Sequence, residues 1–397
     1  MKTNNNIPAY RFQGYTDAWE LRKLGELGTL KNGMNFSKDA MGIGFPFINL
    51  QNIFGKNIVD VSQLGLAKAS SIQLKNYNLQ KGDVLFVRSS VKLEGVGEAA
   101  IVPKNLENTT YSGFIIRYRD SFGLDYNFKR FTFGTSNIRN QIMSQATDSA
   151  NKNISQQVLA ELDILVPSLP EQEAIGTFFS TLDRHITLHQ RKLDTLKEQK
   201  KTYLKLFFPA KGQTKPALRF QGFEDDWEEV KLGEVVNIQK GTQRGKQEIS
   251  EIQSEQFPYP VYNGGQNVSG YTDEYNRENM VIVSEGGASA GYVNYYSGKF
   301  WSGGHNFSID NLDNNLLFIK SILEFNQQKL YELKVGSGLP NVQLGSINQF
   351  VLSLPSLPEQ EFIGTFFQTL DQEIAQVEDK LASLKEMKKT LLRKLFV

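Results

Sequence analysis

Two long stretches of this chain carry apolar side chains at alternating steps of four and three residues. The first series begins at Ile175 and the second at Ile363. This spacing is the a/d repeat of a coiled coil, so it predicts two long amphipathic helices, at residues 171–208 and 359–396. The apolar residues assigned to the seam are Ile175, Phe179, Leu182, Ile186, Leu193, Leu196, Ile363, Phe367, Leu370, Ile374, Leu381 and Leu384.

The two helical stretches belong to an internal repeat. The segment Ser-Leu-Pro-Glu-Gln-Glu at residues 168–173 returns at 356–361, and Arg-Phe-Gln-Gly at 11–14 returns at 219–222. Such a repeat predicts two copies of one unit, each a variable globular part followed by a constant helix. The Ser-x-x-Glu spacing predicts a serine N-cap for each helix, with Glu171 and Glu359 completing a capping box.

The two helices are predicted to pair with each other within the chain. The tether gives them a high effective concentration, and a lone apolar stripe is not stable in water. A parallel pair would place Lys200 beside Lys388 in the seam, whereas an antiparallel pair sends each lysine toward an apolar region of the other helix. We therefore expect an intramolecular antiparallel coiled coil roughly 55 Å long, with pseudo-two-fold symmetry.

The variable segments have the short periodicity of β-strands. Runs at 83–88, 114–119, 280–283 and 291–296 are broken by Gly, Asn, Asp and Ser, while residues 316–330 predict one amphipathic helix. The predicted fold class is α/β (α+β), with duplicated recognition domains separated by the two long helices. The predicted domains are 1–166 and 213–354 for the variable parts, and 167–212 and 355–397 for the constant helical spacers.

Composition narrows the class of protein. The 397 residues include no cysteine, which excludes disulfides and thiol chemistry. No apolar run is long enough to span a bilayer, and the polar stretch at residues 1–6 does not resemble a signal peptide, so we expect a cytoplasmic protein with no membrane partner. Residues 217–352 hold 10 basic and 17 acidic side chains, so binding of nucleic acid there would need a local basic patch.

Several loops carry side chains suited to DNA. Arg and Lys pair with guanine or phosphate, Asn and Gln pair with adenine, and glycine permits close approach of the backbone. A solvated loop is the simpler interpretation of any one of these stretches, and their recurrence in both copies favours binding. The candidates are Arg88, Lys92, Lys129, Arg130, Arg139, Asn140, Asn151, Asn153, Lys240, Thr242, Gln243, Arg244, Lys246, Gln266, Ser289, Trp301, His305, Asn306 and Asn341.

Catalytic patterns are incomplete in this sequence. Residues 95–100 match a loose G-x-G-x-x-A, but the chain continues as a predicted strand where a dinucleotide site needs a helix. The three histidines, His185, His189 and His305, have no metal-ligand spacing. We expect no catalytic residue, no metal site and no cofactor in this chain.

The order of variable domain, Pro-Glu-Gln-Glu helix, second variable domain and second helix closely resembles the specificity (S, HsdS-type) subunits of type I restriction-modification systems. This resemblance implies a non-catalytic subunit with two target recognition domains that read a bipartite sequence in double-stranded DNA. It also implies two methyltransferase (M) subunits that supply S-adenosylmethionine chemistry, and restriction (R) subunits that use ATP and Mg. The alternative is a coiled-coil scaffold whose two β-rich heads bind protein or glycan.

Overall fold

The structure, a computed structural model, describes residues 6–147, 151–336 and 338–396, apart from the side chain of residue 311. Residues 1–5, which carry most of the polar N-terminal stretch, lie outside the described residues. The chain divides into two compact units: unit 1 comprises Met1–His189 and Lys380–Val397, and unit 2 comprises Gln190–Asp379. Both long helices contribute residues to both units. The predicted boundaries of the recognition domains stay a prediction.

Unit 1 has mixed α/β structure. Its strands are β1 (Glu20–Lys23), β2 (Gly28–Asn32), β3 (Met41–Ile48), β4 (Gly65–Ala67), β5 (Val84–Val87), β6 (Ser89–Ser90), β7 (Ala99–Ile101), β8 (Thr110–Tyr111), β9 (Ile115–Asp120), β10 (Lys152–Asn153) and β11 (Asp163–Val166). Its helices are α1 (Leu24–Leu27), α2 (Ser71–Asn76), α3 (Tyr126–Thr132), α4 (Ser136–Gln145), α5 (Gln156–Ala160) and the first part of α6 (Leu169–Phe207). The central sheet has the order β2-β9-β5-β7, beside a smaller sheet β4-β3-β8 and the pairs β1-β11 and β6-β10.

Unit 2 also has mixed α/β structure. Its strands are β12 (Glu228–Lys231), β13 (Val236–Lys240), β14 (Tyr259–Tyr262), β15 (Gly270–Thr272), β16 (Arg277–Ser284), β17 (Val293–Ser302), β18 (Asn306–Asn311) and β19 (Val351–Leu354). Its helices are α7 (Leu232–Val235), α8 (Leu316–Phe325), α9 (Gln327–Glu332), α10 (Leu344–Asn348) and most of α11 (Leu357–Leu395). Six strands form one sheet in the order β13-β18-β16-β17-β14-β15, and β12 pairs with β19. The predicted α/β class is thereby confirmed for both variable segments.

The helix predicted over residues 316–330 is two helices. The chain turns at Asn326, whose backbone leaves the helical region with φ −90° and ψ 14°. The Asn326 side-chain amide donates to the carbonyl of Ile322 at 2.8 Å, which satisfies a carbonyl at the end of α8. Asparagine competes with the helical backbone in this way, so an apolar periodicity alone does not detect the break.

The long helices pack antiparallel to each other within each unit. In unit 2, the Phe207 ring near the end of α6 lies 6.1 Å from the ring of Phe367, and Lys200, earlier in α6, pairs with Asp371, later in α11. In unit 1, Asp183 of α6 pairs with Lys388 of α11 at 2.6 Å. The predicted antiparallel orientation is confirmed in both units.

The surroundings of the two seam lysines differ from the prediction. The ammonium group of Lys200 lies 2.7 Å from carboxylates of both Glu324 and Asp371, and that of Lys388 contacts Asp183. The expectation of an apolar region was wrong, because a half-buried ammonium group needs a counter-charge. Burial lowers the pKa of Lys200, but the two carboxylates outweigh burial and hold this pKa above its ordinary value.

The assigned seam residues are mostly inside the protein. Ten are buried, and Ile186 and Ile374 are half-buried. The ten are Ile175, Phe179, Leu182, Leu193, Leu196, Ile363, Phe367, Leu370, Leu381 and Leu384.

Each long helix begins beside a buried ion pair. Glu171 accepts hydrogen bonds from Nε and Nη2 of Arg11 at 2.8 and 2.7 Å, and Glu359 accepts the same two from Arg219 at 2.8 and 2.6 Å. Both carboxylates are almost fully buried. The glutamates predicted to complete capping boxes thus bind the repeated arginine near the start of each variable domain.

An aromatic cluster joins each variable domain to the helices. In unit 2 the ring of Phe208 packs at 5.6–6.0 Å against the rings of Trp227, Phe318 and Phe367. In unit 1 the ring of Phe396 packs at 5.6–6.3 Å against the rings of Trp19, Phe128 and Phe179. The residue that follows each long helix therefore completes the core of a unit.

Candidate nucleic-acid interface

Unit 2 has a glycine-rich depression of about 620 Å³ at one end of its large sheet. It is lined by residues 263–265 after β14, 285–289 after β16, His305 between β17 and β18, and 339–341 before α10. Gly264, Gly265 and Gly287 have positive φ angles of 84°, 103° and 74°, which glycine adopts without steric cost. Turns of this kind let several backbone segments meet with little side-chain bulk between them.

Backbone hydrogen bonds hold the loops of this depression together. The amide of Glu285 donates to the carbonyl of His305 at 2.8 Å, and the amide of Val342 donates to the carbonyl of Glu285 at 2.7 Å. The amide of Gly291 closes the intervening loop by donating to the carbonyl of Ser284 at 2.7 Å. We call these three hydrogen bonds the loop frame.

Unit 1 contains the same loop frame. The amide of Arg88 donates to the carbonyl of Phe114 at 2.8 Å, and the amide of Ile154 donates to the carbonyl of Arg88 at 3.0 Å. The amide of Gly97 donates to the carbonyl of Val87 at 2.7 Å and closes the loop after β5. A depression of about 630 Å³ lies beside this frame, lined by residues 89–92, Phe114 and Asn151 among others.

In each unit a glycine follows the first strand of the larger sheet, at a point where another backbone segment approaches closely. A Cβ atom on Gly33 would lie 2.1 Å from the carbonyl oxygen of Ser112, and one on Gly241 would lie 2.0 Å from that of Gly303. Neither position can hold a side chain without moving the facing backbone. The two units thus share a close backbone approach as well as the loop frame.

The side chains at equivalent positions of the frame differ in chemistry. The hydrogen bonds place Arg88 of unit 1 where unit 2 has Glu285, and Phe114 where unit 2 has His305. The Glu285 side chain is 18% exposed, and its Oε1 accepts a hydrogen bond from Nζ of Lys240 at 2.8 Å. A common backbone therefore presents a cation in one unit and a carboxylate in the other.

Many of the candidate DNA-binding residues lie at or beside the two depressions. In unit 1 these are Arg88, Lys92, Asn151 and Asn153, and in unit 2 they are Lys240, Thr242, Gln243, Gln266, Ser289, His305 and Asn341. Lys246 is exposed at the start of a 3₁₀ turn, Lys246–Glu248. Contact between these side chains and DNA stays a prediction.

Four candidates of unit 1 lie on helices instead. Lys129 is buried and pairs with Asp120 at 3.1 Å, and Arg130 pairs with Asp183 at 2.5 Å. Arg139 donates to the carbonyls of Val96 and Glu94, at 2.7 and 2.6 Å, and its burial lowers its pKa. These three cations are engaged inside the unit, and Arg139 holds the end of the loop after β5. Asn140 is exposed on α4, whose other candidate, Arg139, faces that loop.

Three candidates of unit 2 support the loops internally. The Arg244 guanidinium lies over the ring of Trp301, 4.6 Å from its centroid, and pairs with Asp273 at 2.6 Å. The Trp301 indole Nε1 donates to the carbonyl of Thr242 at 2.8 Å. Asn306 is fully buried, and its amide donates to the carbonyl of Tyr262 at 2.6 Å. Asn306 thus supports the depression from inside, where it also accepts from the amide of Gly264, and Arg244 holds a neighbouring loop.

Sequence reasoning missed two residues of the site. Glu285 and Phe114 are not among the sequence-predicted candidates, although both are at the loop frame and Phe114 is 57% exposed. The paired glycines Gly33 and Gly241, each after a sheet strand, were the available signal for an equivalent frame.

In the part of the chain that the structure describes, no group of three or more His, Asp or Glu side chains could hold a metal ion. None of the helices in the same residues is both long and apolar enough to cross a membrane.

Comparison with known proteins identifies the family. The family model described as "Type I restriction modification DNA specificity domain" matches residues 16–198 and again residues 224–386. The putative type I restriction enzyme MjaX specificity subunit of Methanocaldococcus jannaschii is 24% identical and aligns over 94% of this chain and 92% of its own length. The putative type I specificity subunit S.MgeORF438P of Mycoplasma genitalium is 24% identical over 70% of this chain and 72% of its own.

Solved structures have the same fold. The crystal structure of a type I restriction-modification S subunit from M. genitalium superposes with a TM-score of 0.72 at 20% identity, over 98% of this chain and 99% of that one. The family model covers most of the chain in two copies, in agreement with the repeated structure of the two units. This chain belongs to the family of type I restriction-modification DNA specificity subunits.

Proposed function

We propose that this specificity subunit reads a bipartite target in double-stranded DNA and catalyses no reaction itself. The observation that supports this function is the repeated loop frame, which carries Arg88 and Phe114 in unit 1 but Glu285 and His305 in unit 2. Base edges in the major groove differ in their donors and acceptors, so two differently equipped copies suit two different half-sites.

The family match also supports a proposal about the partners of this chain. We propose that two methyltransferase subunits bind this chain and supply S-adenosylmethionine chemistry, and that restriction subunits supply ATP- and Mg-dependent cleavage. This chain itself would hold no cofactor, and it would act in the cytoplasm, where chromosomal DNA is accessible. The alternative of a scaffold that binds protein or glycan is not favoured by the family match.

Methylation mapping tests this function. Genomic DNA from host cells with and without this chain is compared by a method that detects methylated bases at single-nucleotide resolution. We expect one bipartite motif to be methylated only in cells that contain the chain. Methylation that is unchanged when the chain is deleted would contradict the proposal.

Binding of purified complex to duplex DNA provides an independent measurement. Because phosphate contacts release counterions, the logarithm of the binding constant should fall linearly with the logarithm of salt concentration. Preference for the mapped motif should persist across that range. Equal binding to motif and scrambled duplex at every salt concentration would exclude sequence recognition.

A further inference from the structure

We propose that the equivalent positions Arg88 and Glu285 determine which base each unit reads, and that Glu285 with Lys240 recognises a guanine–cytosine pair. This inference rests on the proposed function and assigns specificity within it. The first argument is positional: both residues use their amide and carbonyl groups in the loop frame, so their side chains start from the same place. A different side chain at this position changes the hydrogen-bond donors and acceptors that the frame presents, while the backbone stays the same.

The surroundings of Glu285 are unsuited to phosphate. Its carboxylate lies at the lining of the unit 2 depression with only 18% of the side chain exposed. A carboxylate repels the phosphate backbone but accepts a hydrogen bond from the exocyclic amino group of cytosine. The depression therefore favours a ligand that presents a donor.

Lys240 completes the pattern. Its ammonium group lies 2.8 Å from Oε1 of Glu285, and the Lys240 side chain is 56% exposed. Lysine donates to O6 and N7 of guanine, and across a guanine–cytosine pair these acceptors lie beside the cytosine amino group. The donor Lys240 and the acceptor Glu285 therefore match the guanine acceptors and the neighbouring amino donor of cytosine.

Unit 1 presents the opposite chemistry at the equivalent position. Arg88 is half-buried, and its Nη1 donates to the carbonyl of Gly113 over a long distance of 3.4 Å. Arginine donates to O6 and N7 of guanine. We therefore expect unit 1 to bind the acceptor atoms of a guanine at the position where unit 2 binds the amino group of a cytosine. The two half-sites should differ at the base pair beneath this position.

Selection from randomised duplexes tests the inference with the full chain in its methyltransferase complex. Wild type is compared with Glu285→Gln, which keeps size and shape, and with Glu285→Arg. We expect Glu285→Gln to lose roughly 10-fold or more of the discrimination at one base pair of the unit 2 half-site. Glu285→Arg should change the preferred base there, and the unit 1 half-site should stay unchanged in both variants. Glu278→Gln is the matched control, because Glu278 is an exposed glutamate on β16, the strand that Glu285 follows.

The outcomes separate the inference from the function on which it rests. A uniform loss of affinity for all duplexes in Glu285→Gln, or an unchanged motif in both variants, overturns the assignment of Glu285 while the proposed function stands. A wild-type complex that selects no sequence overturns both. Reciprocal substitution Arg88→Glu should alter one position of the unit 1 half-site only, and altered preference in the unit 2 half-site would also contradict the assignment.

Discussion

At the residue scale, two buried glutamates carry much of the connection between helix and domain. Glu359 is 1% exposed and is neutralised by two hydrogen bonds from Arg219. We predict that Arg219→Ala lowers the free energy of unfolding by about 3–5 kcal/mol, because it leaves a buried carboxylate without its partner. Chemical denaturation of the full chain measures the change.

A surface ion pair of the same unit is the control for this prediction. Lys197 pairs with Glu378 at 2.6 Å, and about half of each side chain is exposed. We expect Lys197→Ala to cost less than about 1 kcal/mol. Equal losses in the two variants would show that burial of Glu359 contributes nothing.

Gly241, the glycine that follows β13, is the subject of a second prediction at this scale. A Cβ on Gly241 would meet the carbonyl oxygen of Gly303, so Gly241→Ala must displace one of the two segments. We expect a loss of roughly 1–3 kcal/mol in stability, as for other overpacked sites, together with weaker recognition of the unit 2 half-site. Thermal unfolding and duplex binding check the two effects.

Gly286→Ala is the matched control, since a Cβ there has no atom within 4 Å and this glycine lines the depression of the same unit. It should leave stability unchanged. If the two alanine variants behave alike, the close approach at Gly241 is not what constrains the loop.

At the element scale, the end of each long helix acts as part of a domain core. Phe208 is fully buried among Trp227, Phe318 and Phe367. We predict that Phe208→Ala destabilises unit 2 by about 3–5 kcal/mol, since it removes a large ring from a packed cluster. Leu312→Ala, at a 57% exposed position of the same unit, should have little effect. Hydrogen exchange resolved by segment measures the loss, and equal protection of unit 2 in both variants would contradict it.

The two long helices could be predicted from the sequence because their apolar periodicity is long and regular. A spacing of four and three residues over many turns specifies a helix and its buried face, and α6 and α11 begin and end within about two residues of the prediction. The partners of Lys200 and Lys388 were not readable, since Glu324 and Asp183 come from other parts of the chain. Only tertiary packing brings a counter-charge to a half-buried ammonium group.

At the scale of the whole molecule, the structural repeat includes parts of the variable domains whose similarity the sequence does not show. The constant helices repeat at a fixed separation, but inside the variable domains the separation between equivalent residues falls from 208 at Gly33 and Gly241 to 188 at Ile154 and Val342. Loops of different length cause this drift, so a search at the separation of the helices, 188, finds Ile154 and Val342 but misses the equivalence of Arg88 and Glu285. Inside the variable domains, equivalent residues share the same backbone hydrogen bonds, and these bonds depend only weakly on side-chain identity.

The final prediction is that each unit recognises one half of the bipartite target. Replacing residues 217–352 with the corresponding segment of another specificity subunit exchanges the loop frame of unit 2, including Glu285 and His305, and leaves the residues of the unit 1 depression unchanged. We expect one half of the bipartite motif to change and the other half to persist. Methylation mapping of cells that carry the exchanged chain measures both halves in one experiment, and a chain in which only the exposed faces of α6 are exchanged serves as the control. A change in both halves, or in neither, would mean that recognition is not divided between the two units.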